Sequence, residues 1–268
     1  MAWPWPVRAD MRIGLFGTHT GLAGQVGDAG MKVVVHDGSL DDAMDPGFGA
    51  RLHELFSELD QPRLFLLDLP VGSAIDQVID AAYVMMEPGD VVIDTSPSYW
   101  CDTLRRYRRM RHRSLFYVDV ALLGRSLPCD ILASGDDKGV ALARPLLERL
   151  APRGGVVQAG SAGAAHFART VRAGLAMAVA HAQSEARQML EAYPAALDAA
   201  AVAERFWPAM PAATPDAAWL ADDAIRLHAA IPLLAQAVML ELGQSLDCQQ
   251  ALEVPPRVGG FVHPDEIL

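Results

Sequence analysis

Lysine is almost absent from this chain. Of its 22 basic residues only Lys32 and Lys138 are lysines, and the others are arginines. An arginine keeps its proton across the working pH range, whereas a buried lysine can lose it. The chain therefore has very few amines that could serve in general acid–base catalysis.

Cysteine and positive charge are scarce as well. Three cysteines stand far apart in the chain, at Cys101, Cys129 and Cys248. An odd number at such spacing fits neither a disulfide framework nor a zinc site, so we expect no metal centre and a reducing, cytoplasmic location. The net charge of -11 argues against nucleic acid as the main partner, because a polyanion would be repelled.

Long apolar runs are also missing. The start, MAWPWPVRAD, has no apolar h-region of a signal peptide, and no run free of charges and prolines reaches about 18 residues, so we expect no membrane span. The 268 residues are 51% hydrophobic, which is enough to bury the core of one large domain or two modest ones.

What the chain does contain is an alternation of short buried strands and helical segments. The predicted strands are 11–16, 32–36, 63–69, 91–93, 115–120, 130–134 and 155–158. The predicted helices between them include 73–86, 102–113 and 138–150. This order predicts a mostly parallel sheet with helices on both faces.

The second part of the chain reads as helical throughout. Residues 162–190 contain many strong helix formers and no proline, which predicts a helix of about eight turns. Apolar residues recur at helical spacing in 199–207 and 217–239, and the tail from 254 has no periodicity. We predict an α/β fold: a doubly wound Rossmann-type domain over 1–160, then a long helix and a small all-helical domain over 161–268.

A glycine-rich stretch, GTHTGLAGQVGDAG, follows the first strand. Strand, glycine-rich turn, strand and the acid Asp37 outline a dinucleotide-binding unit, in which glycines let the backbone approach the pyrophosphate. The spacing departs from G-x-G-x-x-G, because His19 and Leu22 stand where glycines are expected after Gly17. The stretch is therefore either a cofactor loop or a flexible surface turn.

Six arginines fall within residues 102–113. They form either a solvated basic face or a phosphate-binding site.

Several motifs together show a family pattern over nearly the whole chain. They are IGLFGTHTGLAG, VVVHD, the LPVG segment that begins at Leu69, EPGDVVIDTSPSYWCDTLRR, YVDVALLGR, SGDDKGV, GSAGAAHFARTVRAGLAM, and Arg257 and His263, six apart. The chain resembles the 6-phosphogluconate dehydrogenases, especially the short bacterial form, and more loosely the β-hydroxyacid dehydrogenases. The resemblance implies a homodimer with NAD or NADP as cofactor. It assigns cofactor contacts to Gly17, Thr18, His19, Gly21, Asp37, Leu69, Pro70 and Val71.

The same resemblance locates the substrate and acid–base positions, where this chain departs from the family. Arg169 stands at the position of the family's general-base lysine, and Arg172 at that of the histidine in the next turn. Ala176 stands at the position of the glutamate that acts as acid. The catalytic candidates are Arg169, Arg172, His166 and Ser98. The substrate candidates are Ser98, Leu123, Gly124, Arg125, Arg169, Arg172, Arg257 and His263.

The two arginines on the long helix indicate what the chain could bind. Arg169 cannot serve as a general base, but it can bind an anion bidentately. Arg169 and Arg172 are three residues apart on one helix face, which predicts a substrate with a carboxylate or phosphate. Alternatively, one or both pair with core carboxylates such as Asp94 or Asp119. His166 is either catalytic or a packing residue; Tyr99 and His263 are further candidate proton donors.

Two functions follow from these observations. The first is an NAD(P)-dependent oxidoreductase that acts by hydride transfer on a small anionic substrate other than 6-phosphogluconate. Asp37 favours NAD over NADP, because an acid there repels a 2′-phosphate. The second is a non-redox member of the fold, either a binding protein or an isomerase or lyase, with lost or weakened cofactor binding.

Overall fold

The computed structural model describes residues 12–17, 21–36, 46–124, 129–151, 155–191, 198–206, 217–227, 229–247 and 259. The chain divides into two compact units, with the boundary between Ala168 and Arg169. The domain limits predicted from the sequence, 1–160 and 161–268, stay a prediction.

A seven-stranded sheet organises the first unit. Its strands are β1 (Arg12–Phe16), β2 (Lys32–His36), β3 (Leu64–Leu67), β4 (Val91–Asp94), β5 (Phe116–Leu122), β6 (Ile131–Gly135) and β7 (Val156–Gly160). Their order is β2-β1-β3-β4-β5-β6-β7. Every neighbouring pair is parallel except β5 and β6, which are antiparallel. The predicted mostly parallel sheet is confirmed.

Within the described residues a helix follows every strand except β5, and the elements of the second unit are helices. The helices are α1 (Leu22–Asp28), α2 (Pro46–Glu58), α3 (Ser73–Tyr83), α4 (Trp100–Arg111), α5 (Asp137–Leu150), α6 (Ala164–Glu191), α7 (Ala199–Phe206), α8 (Ala218–Arg226) and α9 (Pro232–Asp247). The long helix predicted over 162–190 is α6. The segment 217–239 contains α8 and the first part of α9, and Pro232 begins α9, where a missing amide hydrogen is tolerated.

The central strands are buried on both faces. All four residues of β3 and all four of β4 are buried, which is typical of a parallel sheet covered by helices. On one face Val26 of α1 and Leu147 of α5 belong to the core cluster. On the other, Phe56 of α2 packs against Phe65 of β3 with the two rings tilted and their centroids 4.8 Å apart. The first unit is therefore a doubly wound Rossmann-type domain, as the sequence predicted.

The second unit packs around small residues. Its buried cluster includes Ala173 and Met177 of α6 with Ala217 and Val238. A β-carbon added at Gly174 would lie 2.5 Å from Leu220 Cδ2, so α6 and α8 approach closely at this glycine. Trp219 is fully buried beside Leu220. None of the helices within the described ranges is long and apolar enough to cross a membrane.

Candidate functional site

The glycine turn begins directly after β1. Gly17 has φ 87°, and its N–H donates to the His36 carbonyl at 3.0 Å. A β-carbon at Gly17 would lie 2.4 Å from the backbone oxygen of Asp68, so only glycine fits. Gly21, with φ 73°, precedes α1, and no heavy atom lies within 4 Å of where its β-carbon would be. Gly17 thus packs tightly against Asp68, directly after β3, and the described surroundings of Gly21 are open.

Asp68 is an acid that the sequence analysis did not single out. It follows the apolar strand β3, is 1% exposed, and its Oδ2 accepts a hydrogen bond from the N–H of Leu22 at 3.2 Å. Leu22 is the first residue of α1. A buried carboxylate therefore accepts a hydrogen bond from the first amide of α1.

The segment after β3 is fixed to the loop after β4. The Leu69 N–H donates to Ser96 Oγ at 3.1 Å. The Thr95 hydroxyl donates to the Leu67 carbonyl at 2.6 Å. Leu69 is buried, while Pro70 and Val71 are half-buried. These bonds set the position of the Leu69, Pro70 and Val71 backbone relative to β4.

Asp94 is the centre of a buried polar network at the end of β4. Its Oδ1 accepts from the Ser96 N–H at 3.0 Å, and its Oδ2 accepts from the Ser98 hydroxyl at 3.2 Å. The Tyr117 hydroxyl of β5 donates to the same Oδ2 in a short hydrogen bond. Burial, together with the negative charge of Asp94, raises the pKa of Tyr117 well above its usual value.

Arg106 completes this network from α4. Its Nη1 donates to Ser98 Oγ at 3.0 Å, while Nε and Nη2 donate to the two carboxylate oxygens of Asp76, each at 2.8 Å. Burial alone lowers the pKa of Arg106, but the hydrogen bonds to Asp76 and nearby negative charge raise it above its ordinary value. The Ser98 hydroxyl, in a residue 2% exposed, is thus bonded on one side to Asp94 and on the other to Arg106.

His166, on the first turn of α6, is fully buried. Its Nδ1 lies 2.7 Å from Thr103 Oγ1, and its Nε2 lies 3.2 Å from the Asp94 carbonyl oxygen. Because a carbonyl only accepts, we assign the proton to Nε2 and let Nδ1 accept from the Thr103 hydroxyl. The imidazole therefore links α4, α6 and the end of β4 through both ring nitrogens.

Asp119 of β5 caps the start of α6. Its Oδ1 accepts from the Gly163 N–H at 2.9 Å, and its Oδ2 accepts from the N–H groups of Ala165 and His166, each at 3.2 Å. The Ser134 hydroxyl donates to the same Oδ2 at 2.7 Å. A buried carboxylate at a helix N-terminus is stabilised by the helix dipole and by these amides.

Arginines of α4 and of the residues that follow it bond to α3 and to the residues that follow α3. Arg106 pairs with Asp76 and Arg109 with Asp80. Arg113 donates to the backbone carbonyl of Met86 at 3.0 Å. The segment is therefore not simply a solvated basic face.

Some of the remaining candidate residues can be located in the fold, and others fall outside the described residues. Tyr99 is buried at the start of α4. Leu123, whose N–H donates to the Asp130 carbonyl at 2.9 Å, and the exposed Gly124 follow β5. Arg169 and Arg172 lie on α6 in the second unit. Thr18, His19, Asp37, Arg125, Arg257 and His263 lie outside the described residues. Within the described part of the chain, no group of three or more histidines, cysteines or acids is placed to hold a metal ion.

The glycine turn between β1 and α1, set at the carboxyl edge of a doubly wound sheet, defines a Rossmann-type dinucleotide-binding domain. Residues 13–160 match the family model described as the NAD binding domain of 6-phosphogluconate dehydrogenase. The chain belongs to this family.

Two curated relatives come from Bacillus subtilis (strain 168). The NAD(+)-dependent, decarboxylating 6-phosphogluconate dehydrogenase is 30% identical over 132 residues, which are 46% of this chain and 28% of that protein. The putative 6-phosphogluconate dehydrogenase YqeC is 28% identical over 145 residues, which are 52% of this chain and 48% of that protein. The matches thus span less than half the length of either relative.

Solved structures show the same fold at low sequence identity. The Mycobacterium tuberculosis 3-hydroxyisobutyrate dehydrogenase, described with L-serine, has a TM-score of 0.71 and 17% identity, and the match covers 91% of this chain and 98% of that one. The Plasmodium falciparum 6-phosphogluconate dehydrogenase has a TM-score of 0.67 and 15% identity, with 95% of this chain and 67% of that one covered.

Proposed function

We propose that this protein is an NAD(P)-dependent oxidoreductase that transfers hydride to or from a small anionic substrate other than 6-phosphogluconate. The observation that carries the proposal is the glycine turn between β1 and α1, within a domain that matches the NAD-binding family over residues 13–160. Gly17 closes the turn onto β3, and Gly21 leaves open space at its top.

The proposed nucleotide would lie along this edge of the sheet. Gly17 and Gly21 would approach it without side chains, and Leu69, Pro70 and Val71 would lie along it on a segment fixed by Ser96. When bound, the dinucleotide supplies the hydride chemistry, and the protein supplies orientation and electrostatics. Thr18, His19 and Asp37 are proposed contacts from the sequence alone, and Asp37 favours NAD.

The anionic substrate is proposed from the residues on α6. Arg169 and Arg172 replace a base and a ligand of the resembled family, and Ala176 replaces its acid. Guanidinium groups bind carboxylates and phosphates but do not exchange protons near neutral pH. In the resembled family the decarboxylation of 6-phosphogluconate uses both the base and the acid, so we propose a different substrate. A protonated imine or a polarised double bond would need no such base.

Ser98 and His166 are proposed as positioning residues. Both are buried, and both hold the end of β4 at Asp94. They would act on the reaction by fixing the loop after β4 against the Leu69 segment, and not by moving a proton themselves.

Titration with NADH and NADPH, followed by nucleotide fluorescence, tests the proposal. We expect saturable binding in the micromolar range, with no NAD- or NADP-linked turnover of 6-phosphogluconate. Gly21→Ala has a matched control in Gly30→Ala. Both glycines are left-handed, with φ 73° and 78°, and both have open surroundings, but Gly30 lies beyond the far end of α1. Gly21→Ala should weaken nucleotide binding more than Gly30→Ala. Turnover of 6-phosphogluconate would contradict the substrate proposal.

A non-redox function is the second candidate, and Asp68 favours it. A buried carboxylate on the first amide of α1 opposes a phosphate there. In that case the protein would bind or isomerise a small anion without a dinucleotide. No binding of either nucleotide at millimolar concentration would support this candidate over the first.

We further propose a cytoplasmic homodimer formed through the helical unit. Ile225 of α8, with Leu233 and Met239 of α9, are 75%, 68% and 65% exposed, which is unusual for large apolar side chains in one small unit. Sedimentation velocity would show twice the chain mass of 28.8 kDa if the proposal holds. Ile225→Glu should then shift the protein toward the monomer.

A further inference from the structure

Asp68 interrupts an otherwise apolar stretch, LFLLDLP, at the carboxyl end of β3. Its backbone is held closely in place. The Asp68 N–H donates to the Phe16 carbonyl at 2.8 Å, and its own carbonyl lies against Gly17. The side chain is 1% exposed, so the carboxylate is set at a fixed point beside the glycine turn.

The carboxylate supplies what the start of α1 lacks. Gly21, the residue before α1, has no side chain to cap the helix, and the first turn of α1 contains no acid. Asp68 Oδ2 accepts from the Leu22 N–H, although the two residues are 46 positions apart in sequence. Asp68 is therefore a capping anion provided by another strand.

This contact has a consequence for nucleotide binding. A phosphate that approached the Leu22 amide would meet a negative charge already bonded to it. Like charges a few ångströms apart repel strongly where water is excluded. The phosphate must either displace the buried carboxylate or bind without that amide, and both routes reduce affinity.

Resting on the proposed function, we propose that Asp68 weakens the binding of pyrophosphate-bearing nucleotides at the glycine turn through its fixed negative charge. The effect depends on the pyrophosphate common to NADH and NADPH. It is therefore equal for the two nucleotides and absent for a reduced nicotinamide riboside, which carries no phosphate.

Asp68→Asn tests the proposal with the smallest change. The amide keeps the shape of the side chain and an oxygen that can accept from Leu22, and it removes only the charge. Asp28→Asn is the matched control, because Asp28 is the exposed last residue of α1 and its loss changes the net charge equally. Asp68→Ala is a second variant, which leaves the Leu22 amide free for a phosphate.

We expect Asp68→Asn to bind NADH and NADPH about tenfold more tightly than the unchanged protein. A tenfold change in affinity requires only a modest difference in electrostatic free energy. Asp68→Ala should also bind more tightly, whereas Asp28→Asn should not. Reduced nicotinamide riboside, measured by competition against NADH, should bind all of the proteins alike. Thermal unfolding without nucleotide identifies any variant that fails to fold.

Three outcomes separate this inference from the proposed function. If the unchanged protein binds NADH and both Asp68 variants bind it equally or more weakly, the inference is wrong and the function stands. If nucleotide binds only after Asp68 is replaced, the inference is supported, and the oxidoreductase function of the unchanged protein is not. If no folded variant binds either nucleotide, both are overturned.

Discussion

Arg106 and Asp76 form a two-point contact between α4 and α3. The guanidinium Nε and Nη2 each donate to one carboxylate oxygen at 2.8 Å. The arginine side chain is 4% exposed and that of Asp76 is 30% exposed. A planar fork that matches a carboxylate fixes both distance and orientation, and the third nitrogen of Arg106 then reaches Ser98.

We predict that Asp76→Asn lowers the free energy of unfolding by about 2–4 kcal/mol, because it leaves the buried charge of Arg106 without its partner. Urea denaturation at neutral pH measures the change. Asp80→Asn is the matched control, because the pair of Asp80 and Arg109 joins the same two helices. Its side chains are exposed, Asp80 at 57% and Arg109 at 45%. Exposed pairs contribute at most about 1 kcal/mol. Equal losses in the two variants would contradict the assignment.

Because of Tyr117, the free energy of unfolding depends on pH in the alkaline range. Burial first, and the charge of Asp94 second, raise the pKa of its hydroxyl above the usual 10.0 in the folded protein. The unfolded chain loses this proton at lower pH than the folded one. The stabilisation is therefore complete below pH 10.0 and falls as the pH rises from there toward the raised pKa.

Urea midpoints at successive pH values from neutral upward should show this decline, and Tyr117→Phe should reduce its slope. Tyr107→Phe is the comparison: burial and the hydrogen bond to Asp136 also raise the pKa of Tyr107, whereas the pKa of Tyr117 is raised well above its usual value. An unchanged alkaline decline in Tyr117→Phe would show that other groups cause it.

The cap of α6 gives a third prediction. Asp119→Ala removes the acceptor for the buried amides of Gly163 and His166. The Ala165 amide loses one of two acceptors, because it also donates to Ser134 Oγ at 2.8 Å. We expect a loss of about 3–5 kcal/mol in the free energy of unfolding. Asp119→Asn keeps one acceptor and should lose less. Hydrogen exchange at the Gly163 and His166 amides should accelerate in Asp119→Ala, and unchanged exchange at both would contradict the cap.

Alanine substitutions at the glycine of the turn and at the glycines of α1 should have opposite effects on the free energy of unfolding. Gly17→Ala adds a β-carbon 2.4 Å from a backbone oxygen at φ 87°, and should destabilise the protein by about 2–4 kcal/mol. Gly24 and Gly27 lie within α1 with nothing in 4 Å of an added β-carbon. Alanine at either position should stabilise by up to about 1 kcal/mol. Thermal unfolding of the three variants decides between these signs.

The main elements of the sheet could be predicted from the sequence because their apolar runs are short and bounded by turns. Residues 91–93 were predicted as a strand, and β4 is Val91–Asp94. Helix α2 was missed, since Pro46, Gly47 and Gly49 open it and are poor helix formers. The buried Leu52, Leu55 and Phe56, spaced three and one apart on one helix face, were the available signal.

The polar contacts of the site could not be predicted in the same way. Ser98 and His166 were found through the family resemblance. Thr103, Arg106 and Tyr117 stand inside the motifs quoted for it, but nothing in the sequence assigned them hydrogen bonds to this site. Asp68 was visible as an acid in an apolar strand. Its partner Leu22 is 46 residues away, and a contact of that separation follows only from the pairing of β1 with β3.

The two units each contain a buried tryptophan. Trp100 of the first unit is 4% exposed and lies edge-on to Phe167, with ring centroids 5.6 Å apart, one residue from His166. Trp219 is fully buried in the second unit. With the other tryptophans replaced by phenylalanine, the emission of Trp100 would report on the start of α6 and that of Trp219 on the helical core. The chain thus has one fluorescent reporter in each unit. Thermal unfolding curves of the two single-tryptophan variants would show whether the units unfold together.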